Sequence, residues 1–364
     1  TGGKEIAWEC KQFKKTKESP SSVVFESENS AAGMVLKGKT TVEFDGMVRV
    51  DLQLAPQAQD TPAEVERLDL VIPFRPEIAE LMSNYRKAPG PGKVMDRYLG
   101  KVPAEPWKNP VFYAQFIGTC KIGLEWFFDS MKGWRVKKGD EAVEVTRHKD
   151  RVLETFHLVD HLVKIKADAP LAITFGLIAT PTKPLRKGWG KLRQDQLVYL
   201  PAFPGEKKKD GSLATAEDTE AWKRRMRYAK QDVNILFWPG WNGVEWFMYP
   251  VKDPTLQATL KQKFDICHEL GQKVCPHGGW KSISTLVPEW DLWGHEMVCD
   301  PPEGTLGKSF YACYNSPYTD FLVANFAANA RLVGIDGVRF DTIAPQNACS
   351  SPYHGCGWKD ENGT

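Results

Sequence analysis

The run Thr41-Val42-Glu43-Phe44-Asp45-Gly46-Met47-Val48-Arg49-Val50-Asp51-Leu52-Gln53-Leu54 decides the first half of the fold. Apolar side chains at 42, 44, 48, 50, 52 and 54 alternate with polar ones, the period-two pattern of strands with one buried face. Asp45-Gly46 between them is a tight-turn dipeptide, so the run predicts two antiparallel strands joined as a hairpin. Working outward, further short strands are expected at 23–25, 34–36, 68–72, 163–165 and 171–179, separated by Gly, Pro and charged turns. Many strands at short spacing predict a β-sandwich region over residues 1–184. Residues 76–87 read as a short helix with proline in its first turn, or as a loop insertion. Residues 122–129, followed by Gly133-Trp134, form an aromatic strand. Its rings serve either the core, which their large area favours, or a sugar platform.

The prolines of Thr180-Pro181-Thr182-Lys183-Pro184 end the sheet region. Residues 185–231 are a polar, Gly- and Lys-rich linker with a short helical segment at 221–228. From Asp232 the period changes. Asn234-Ile235-Leu236-Phe237-Trp238 is a strand. Asp253-Pro254 caps a helix carrying Leu256, Leu260, Phe264, Cys267 and Leu270, and Gly271 stops it. A strand follows at 273–277. A second helix over 318–333 carries Leu322, Phe326, Ala330 and Val333 and stops at Gly334, ahead of the strand Gly337-Val338-Arg339-Phe340-Asp341. Alternating strands and helices imply parallel βαβ units. With no GxGxxG or Walker loop, a (β/α) barrel remains. A whole barrel needs about 250 residues, so 232–364 is expected to be the N-terminal half of a (β/α)8 (TIM) barrel. The remaining half would lie on the same gene product or on another chain. The fold class is thus multi-domain, β plus α/β.

A chain of 364 residues is too long for one compact core, and 42% apolar with 26% charged residues is globular composition. A net charge of +2 gives no footprint for nucleic acid. No apolar run approaches the ~20 residues that span a bilayer. The chain begins at Thr1 without methionine and reads as a processed or excised piece. Eight cysteines permit disulfides. The pairs Cys299–Cys313 and Cys349–Cys356 are expected in an oxidising compartment, with buried thiols as the alternative. No CxxC or zinc-finger spacing occurs, and neither Cys267-His268 nor Cys275-x-His277 makes a ligand set, so no metal and no cofactor are expected.

Barrel sites gather at the C-terminal ends of strands. Here those ends hold Trp238 and Trp241, His277 and Trp280, the Glu289-Trp290-Asp291 loop, and Asp341. Sugars stack their C–H faces on aromatic rings and bond their hydroxyls to carboxylates and imidazoles. Trp238, Trp241, His277, Trp280, Trp290, Asp291 and Arg339 are therefore the expected carbohydrate-binding residues. Asp341 is the expected nucleophile or base, since Arg339 two residues earlier shares its face and would keep it ionised. Glu289, ahead of Asp291, is the expected partner acid. The plainer readings are a structural Arg–Asp pair, a satisfied structural histidine at 277 or 295, and a turn residue at Asp336.

Gly334-Ile335-Asp336-Gly337-Val338-Arg339-Phe340-Asp341 resembles the strand-end motif of several glycoside-hydrolase barrels, including the α-amylase clan. That match implies Asp341 as nucleophile. The longer pattern comprises Gly123 to Trp134, Ala179 to Pro184, the barrel strands, Asn347-Ala348-Cys349 and His354-Gly355-Cys356-Gly357-Trp358. From about residue 115 onward it is similar to glycoside-hydrolase-like proteins related to family 123, secreted bacterial proteins with β-sandwich domains ahead of a (β/α)8 barrel. Family 123 uses an adjacent Asp-Glu pair and the acetamido group of its substrate. This chain has no such pair at a strand end, as Asp360-Glu361 lies in a terminal turn. The resemblance implies a glycosidase acting on an extracellular polysaccharide or glycan, secreted, periplasmic or at the cell surface. The alternative is a non-catalytic carbohydrate-binding or structural surface protein on the same scaffold.

Overall fold

The computed structural model describes residues 6–85, 98–110, 113–128, 130–137, 141–182, 187–188, 194–195, 203–208, 210–229, 232–236, 249–278, 281–304, 308–340 and 349–357. The chain divides into two units, Thr1–Leu185 with Lys359–Thr364, and Arg186–Trp358. Each is a body with its own core.

The first unit contains β1 (Glu9–Glu18), β2 (Ser22–Ala31), β3 (Met34–Glu43), β4 (Met47–Pro56), β5 (Ala63–Val65), β6 (Leu68–Phe74), β7 (Leu81–Tyr85) and β8 (Leu99–Lys101). It continues with β9 (Trp107–Asn109), β10 (Ala114–Gly118), β11 (Gly123–Phe127), β12 (Val143–Arg147), β13 (Val152–Val159), β14 (Val163–Ile165) and β15 (Leu171–Thr180). Nine strands form an antiparallel sheet in the order β1-β2-β3-β4-β15-β11-β10-β7-β8, and a second sheet runs β6-β13-β12-β9. The hairpin falls where the alternation places it. Val42 pairs with Val48, and the turn at Asp45-Gly46 uses a glycine at φ +96°, where a Cβ would lie 2.8 Å from the Thr182 carbonyl oxygen. Residues 76–80 are turns and β7 follows, paired with β10. Neither the expected helix nor a loop insertion accounts for β7, because sheet pairing decides this stretch.

The sheets face each other across Trp126 of β11, which stacks on Phe156 of β13 with ring centroids 4.1 Å apart. Trp134, Val143, Leu158 and Ile173 pack in the same buried cluster. Trp126 and Trp134 are thus core residues and no sugar platform. Truncating either to alanine would cost ~3–5 kcal/mol. The edge strand β1 is exposed along its whole length, and its lysines at 11, 14, 15 and 17 discourage pairing with another sheet edge.

The second unit holds β16 (Gln194–Asp195), α1 (Ala216–Ala229), β17 (Val233–Leu236), α2 (Pro254–Glu269), β18 (Lys273–Gly278), β19 (Ser282–Ser284), α3 (Trp290–Trp293), β20 (Ser309–Tyr311), α4 (Tyr318–Val333) and β21 (Arg339–Phe340). The strands β16-β17-β18-β21 form a sheet in which each neighbouring pair is parallel. The Asp253 carboxylate accepts from the Leu256 amide at 2.7 Å at the start of α2, and Gly334 ends α4 in the left-handed region. Leu260, Phe264 and Cys267 of α2 pack with Val274, Val333 and Ile335. Leu322, Phe326 and Val333 of α4 pack on this cluster as expected, with two departures. Ala330 is exposed, whereas Asn325 and Asn329 are buried. Asn329 donates to the Tyr249 carbonyl at 3.2 Å and accepts from the Val251 amide at 3.1 Å, so its buried amide serves a stretch of irregular backbone. Among the described residues, no helix is long and apolar enough to cross a membrane.

Candidate functional site

Parallel strands leave the sheet in one direction. In the described register Leu236 lies beside Pro276, and Gly278 lies beside Phe340. Trp238, Trp241, Trp280 and Asp341 follow these strand ends in sequence and lie outside the described residues.

His277 and Arg339 are direct neighbours on β18 and β21. The Arg339 guanidinium donates to His277 Nδ1 at 3.0 Å, which marks that nitrogen as the one without a proton and the imidazole as neutral. His277 is 3% exposed, so it supports the strand end from below rather than lying on an open sugar-binding surface. Arg339 was expected to hold Asp341 on its own strand. The contact described reaches across to the next strand, and Asp341 lies outside the described residues.

Glu289 sits at the mouth of α3, in a segment expected to be a loop. Burial pushes its carboxyl up, but hydrogen bonds from the Tyr249 hydroxyl at 2.6 Å and from Lys252 Nζ at 3.3 Å outweigh that and hold it below the ordinary range. Lys252 also lies 4.8 Å from the centre of the Tyr249 ring. A carboxyl stabilised as its anion is a poor proton donor near neutral pH. This environment therefore suits an ionised role and not the acid role expected of Glu289. Trp290 is half-buried, stacked on Phe310 with centroids 5.3 Å apart, and lies over Gly294 so closely that a Cβ there would come within 2.4 Å of its ring. It is a packing residue at least on that face. Asp291 is exposed.

Tyr249 and Lys252 were not among the residues singled out from the sequence. Their only signal was position, a few residues past Trp238 and Trp241. Asp336 is more than a turn residue. It accepts from His268 Nε2 and Lys273 Nζ, both at 2.8 Å, and from the Val274 amide at 2.9 Å, tying β18 to the entry of β21. None of the eight cysteines is in a disulfide, so the expected pairs Cys299–Cys313 and Cys349–Cys356 are not formed.

Residues 1–132 match the family described as glycoside hydrolase 123, third domain. None of the curated proteins matches the chain. Solved structures overlap it loosely. GH36 α-galactosidase AgaB from Geobacillus stearothermophilus is 10% identical, with 97% of this chain and 55% of that one covered at a TM-score of 0.48. AgaA from the same organism, in complex with raffinose, is 10% identical over 95% of this chain and 55% of that one, at 0.49. The α-N-acetylgalactosaminidase NagBb from Bifidobacterium bifidum is 12% identical over 98% and 65%, at 0.39. The chain spans about half the length of the two α-galactosidases. The family match falls on the β-sandwich unit. It overlaps the stretch that carried the resemblance in sequence only between residues 115 and 132. The chain is a glycoside-hydrolase-related protein, similar over its first 132 residues to the third domain of glycoside hydrolase family 123.

Proposed function

We propose that the chain is part of a glycosidase acting on an extracellular polysaccharide or glycan, secreted or held at the cell surface. The observation that carries this reading is the family 123 match over residues 1–132. The parallel strands of the second unit add to it, and in this reading they open a (β/α)8 barrel. Asp341, which follows β21, is its nucleophile or base. Trp238, Trp241 and Trp280, which follow β17 and β18, line the sugar cleft. The Arg339–His277 pair braces the strand ends beside that cleft. Glu289, kept ionised by Tyr249 and Lys252, accepts a hydroxyl or serves as a base, while a different carboxyl donates the proton.

The test is glycan release from a panel of plant, algal and host polysaccharides by the full-length gene product and its Asp341→Asn variant. Release by the parent, reduced ~10³-fold or more in the variant with binding retained, is the expected outcome. Binding without release by either protein would sink the catalytic reading and leave a carbohydrate-binding protein.

A further inference from the structure

Four of the eight cysteines and one histidine converge at one place in the second unit. Cys299 and Cys313 come from the segments flanking β20. Their backbones are joined by Cys299 N–H donating to the Tyr311 carbonyl at 2.9 Å and Cys313 N–H donating to the Met297 carbonyl at 2.8 Å. Cys349, His354 and Cys356 come from a tight loop beyond β21. That loop folds back on itself at Gly357, where a Cβ would stand 1.9 Å from the Ser350 carbonyl oxygen. The Ser350 amide then docks it onto the Asp300 carbonyl at 2.7 Å.

The sulfur atoms form a star, not two pairs. Cys299 lies beside Cys349 in the same cluster. Cys313 Sγ lies 3.9 Å from Cys356 Sγ, and Cys349 Sγ lies 3.4 Å from His354 Nδ1. The donor atoms of Cys313, Cys349 and His354 all lie within 4.8 Å of one another. A disulfide requires ~2.05 Å. The edges of a tetrahedral zinc site, with Zn–S ~2.3 Å and Zn–N ~2.0–2.1 Å, are ~3.8 Å between sulfurs and ~3.5 Å between sulfur and nitrogen. The Cys313–Cys356 and Cys349–His354 separations have those lengths; Cys313, Cys349 and His354 make up the mutually close group, and Cys356 joins it through Cys313.

The surroundings are also those of a ligand set. His354 Nε2 donates to the Glu296 carbonyl at 2.8 Å, which leaves the lone pair on Nδ1, the nitrogen that faces the sulfurs. N–H groups point at the sulfurs, with the Asp300 amide 3.4 Å from Cys349 and the Asn315 side-chain amide 3.5 Å from Cys356. Both favour thiolate over thiol. We propose that Cys313, Cys349, His354 and Cys356 bind a structural Zn²⁺, with Cys299 beside them outside the coordination sphere. Binding to thiols releases their protons to solvent, and no oxidant is involved. The site closes a loop between β20 and the segment after β21. It does not depend on the glycosidase reading.

Protein purified without chelator and freed of loose metal is expected to carry about one zinc per chain by elemental mass spectrometry. Its native mass should be that of eight unoxidised cysteines plus zinc, less the displaced protons. Cys349→Ser and Cys356→Ser should lower zinc affinity at least ~10-fold, and Cys299→Ser should keep the metal. Since serine variants risk misfolding, Co²⁺ exchanged into the parent gives a readout without mutation. Tetrahedral ligand-field bands with thiolate charge-transfer absorption are expected. Metal-free protein whose mass shows two disulfides, or a cobalt spectrum without thiolate character, would overturn the site. Loss of zinc in Cys299→Ser but not in Cys356→Ser would overturn the assignment of the fourth ligand.

Discussion

Glu154 lies 1% exposed between the two sheets of the first unit, met by the Gln115 amide at 2.6 Å. Burial pushes its carboxyl from 4.5 up to about 8, the Gln115 hydrogen bond opposing this only in part. The folded state therefore holds a proton that the unfolded chain has released. Stability from this group is complete below pH 4.5 and is lost as the pH rises through about 8. The Glu154→Gln variant should match the parent near pH 5 and exceed it by a few kcal/mol near pH 9, read from denaturant midpoints across that range. Gln115 Oε1 is buried with no partner among the described residues, and the new amide can donate to it. Glu154 shares parity with Val152, Phe156 and Leu158 on β13, a strand not among those expected from the sequence. The Tyr249–Glu289 contact was not legible either. It joins residues 40 positions apart through a loop whose path no periodicity encodes.

At the scale of elements, legibility followed local chemistry. The Asp253-Pro254 start, the glycine stops at 271 and 334 and the Asp45-Gly46 hairpin each follow from contacts within a few residues. The extent of α4 and most of its inward face were readable in the same way, but the burial of Asn325 and Asn329 was not, because buried asparagines look like solvent-facing residues until their backbone partners are known. Asp336 shows the same limit. Burial pushes its carboxyl up, yet hydrogen bonds from Lys273, the Val274 amide and His268 hold it below the ordinary range. Such a carboxylate stabilises the fold above the ordinary carboxylate range and ceases to do so as the pH falls. Replacing it with alanine should cost about 1–3 kcal/mol at pH 7. That deficit should shrink as urea titrations are repeated toward pH 3, whereas a constant deficit would mean the side chain acts through packing.

At the scale of the whole molecule, a β-sandwich unit related to a family 123 domain precedes a unit with a parallel sheet. The cysteines carried a signal of number and not of arrangement. Counting eight suggested pairs, while the fold brings positions 313 and 349 together across 36 residues and a helix. The Asn329 clamp on α4 has a reach beyond its own turn. It fixes the backbone at Tyr249 and Val251, and Tyr249 in turn holds Glu289 in its charged form. Glu289 is therefore a gauge of how firmly a distant helix is seated. With Asn329→Ala, its carboxyl resonance in an NMR pH titration should move its midpoint upward toward an ordinary glutamate, and an unmoved midpoint would show that helix and gauge are disconnected.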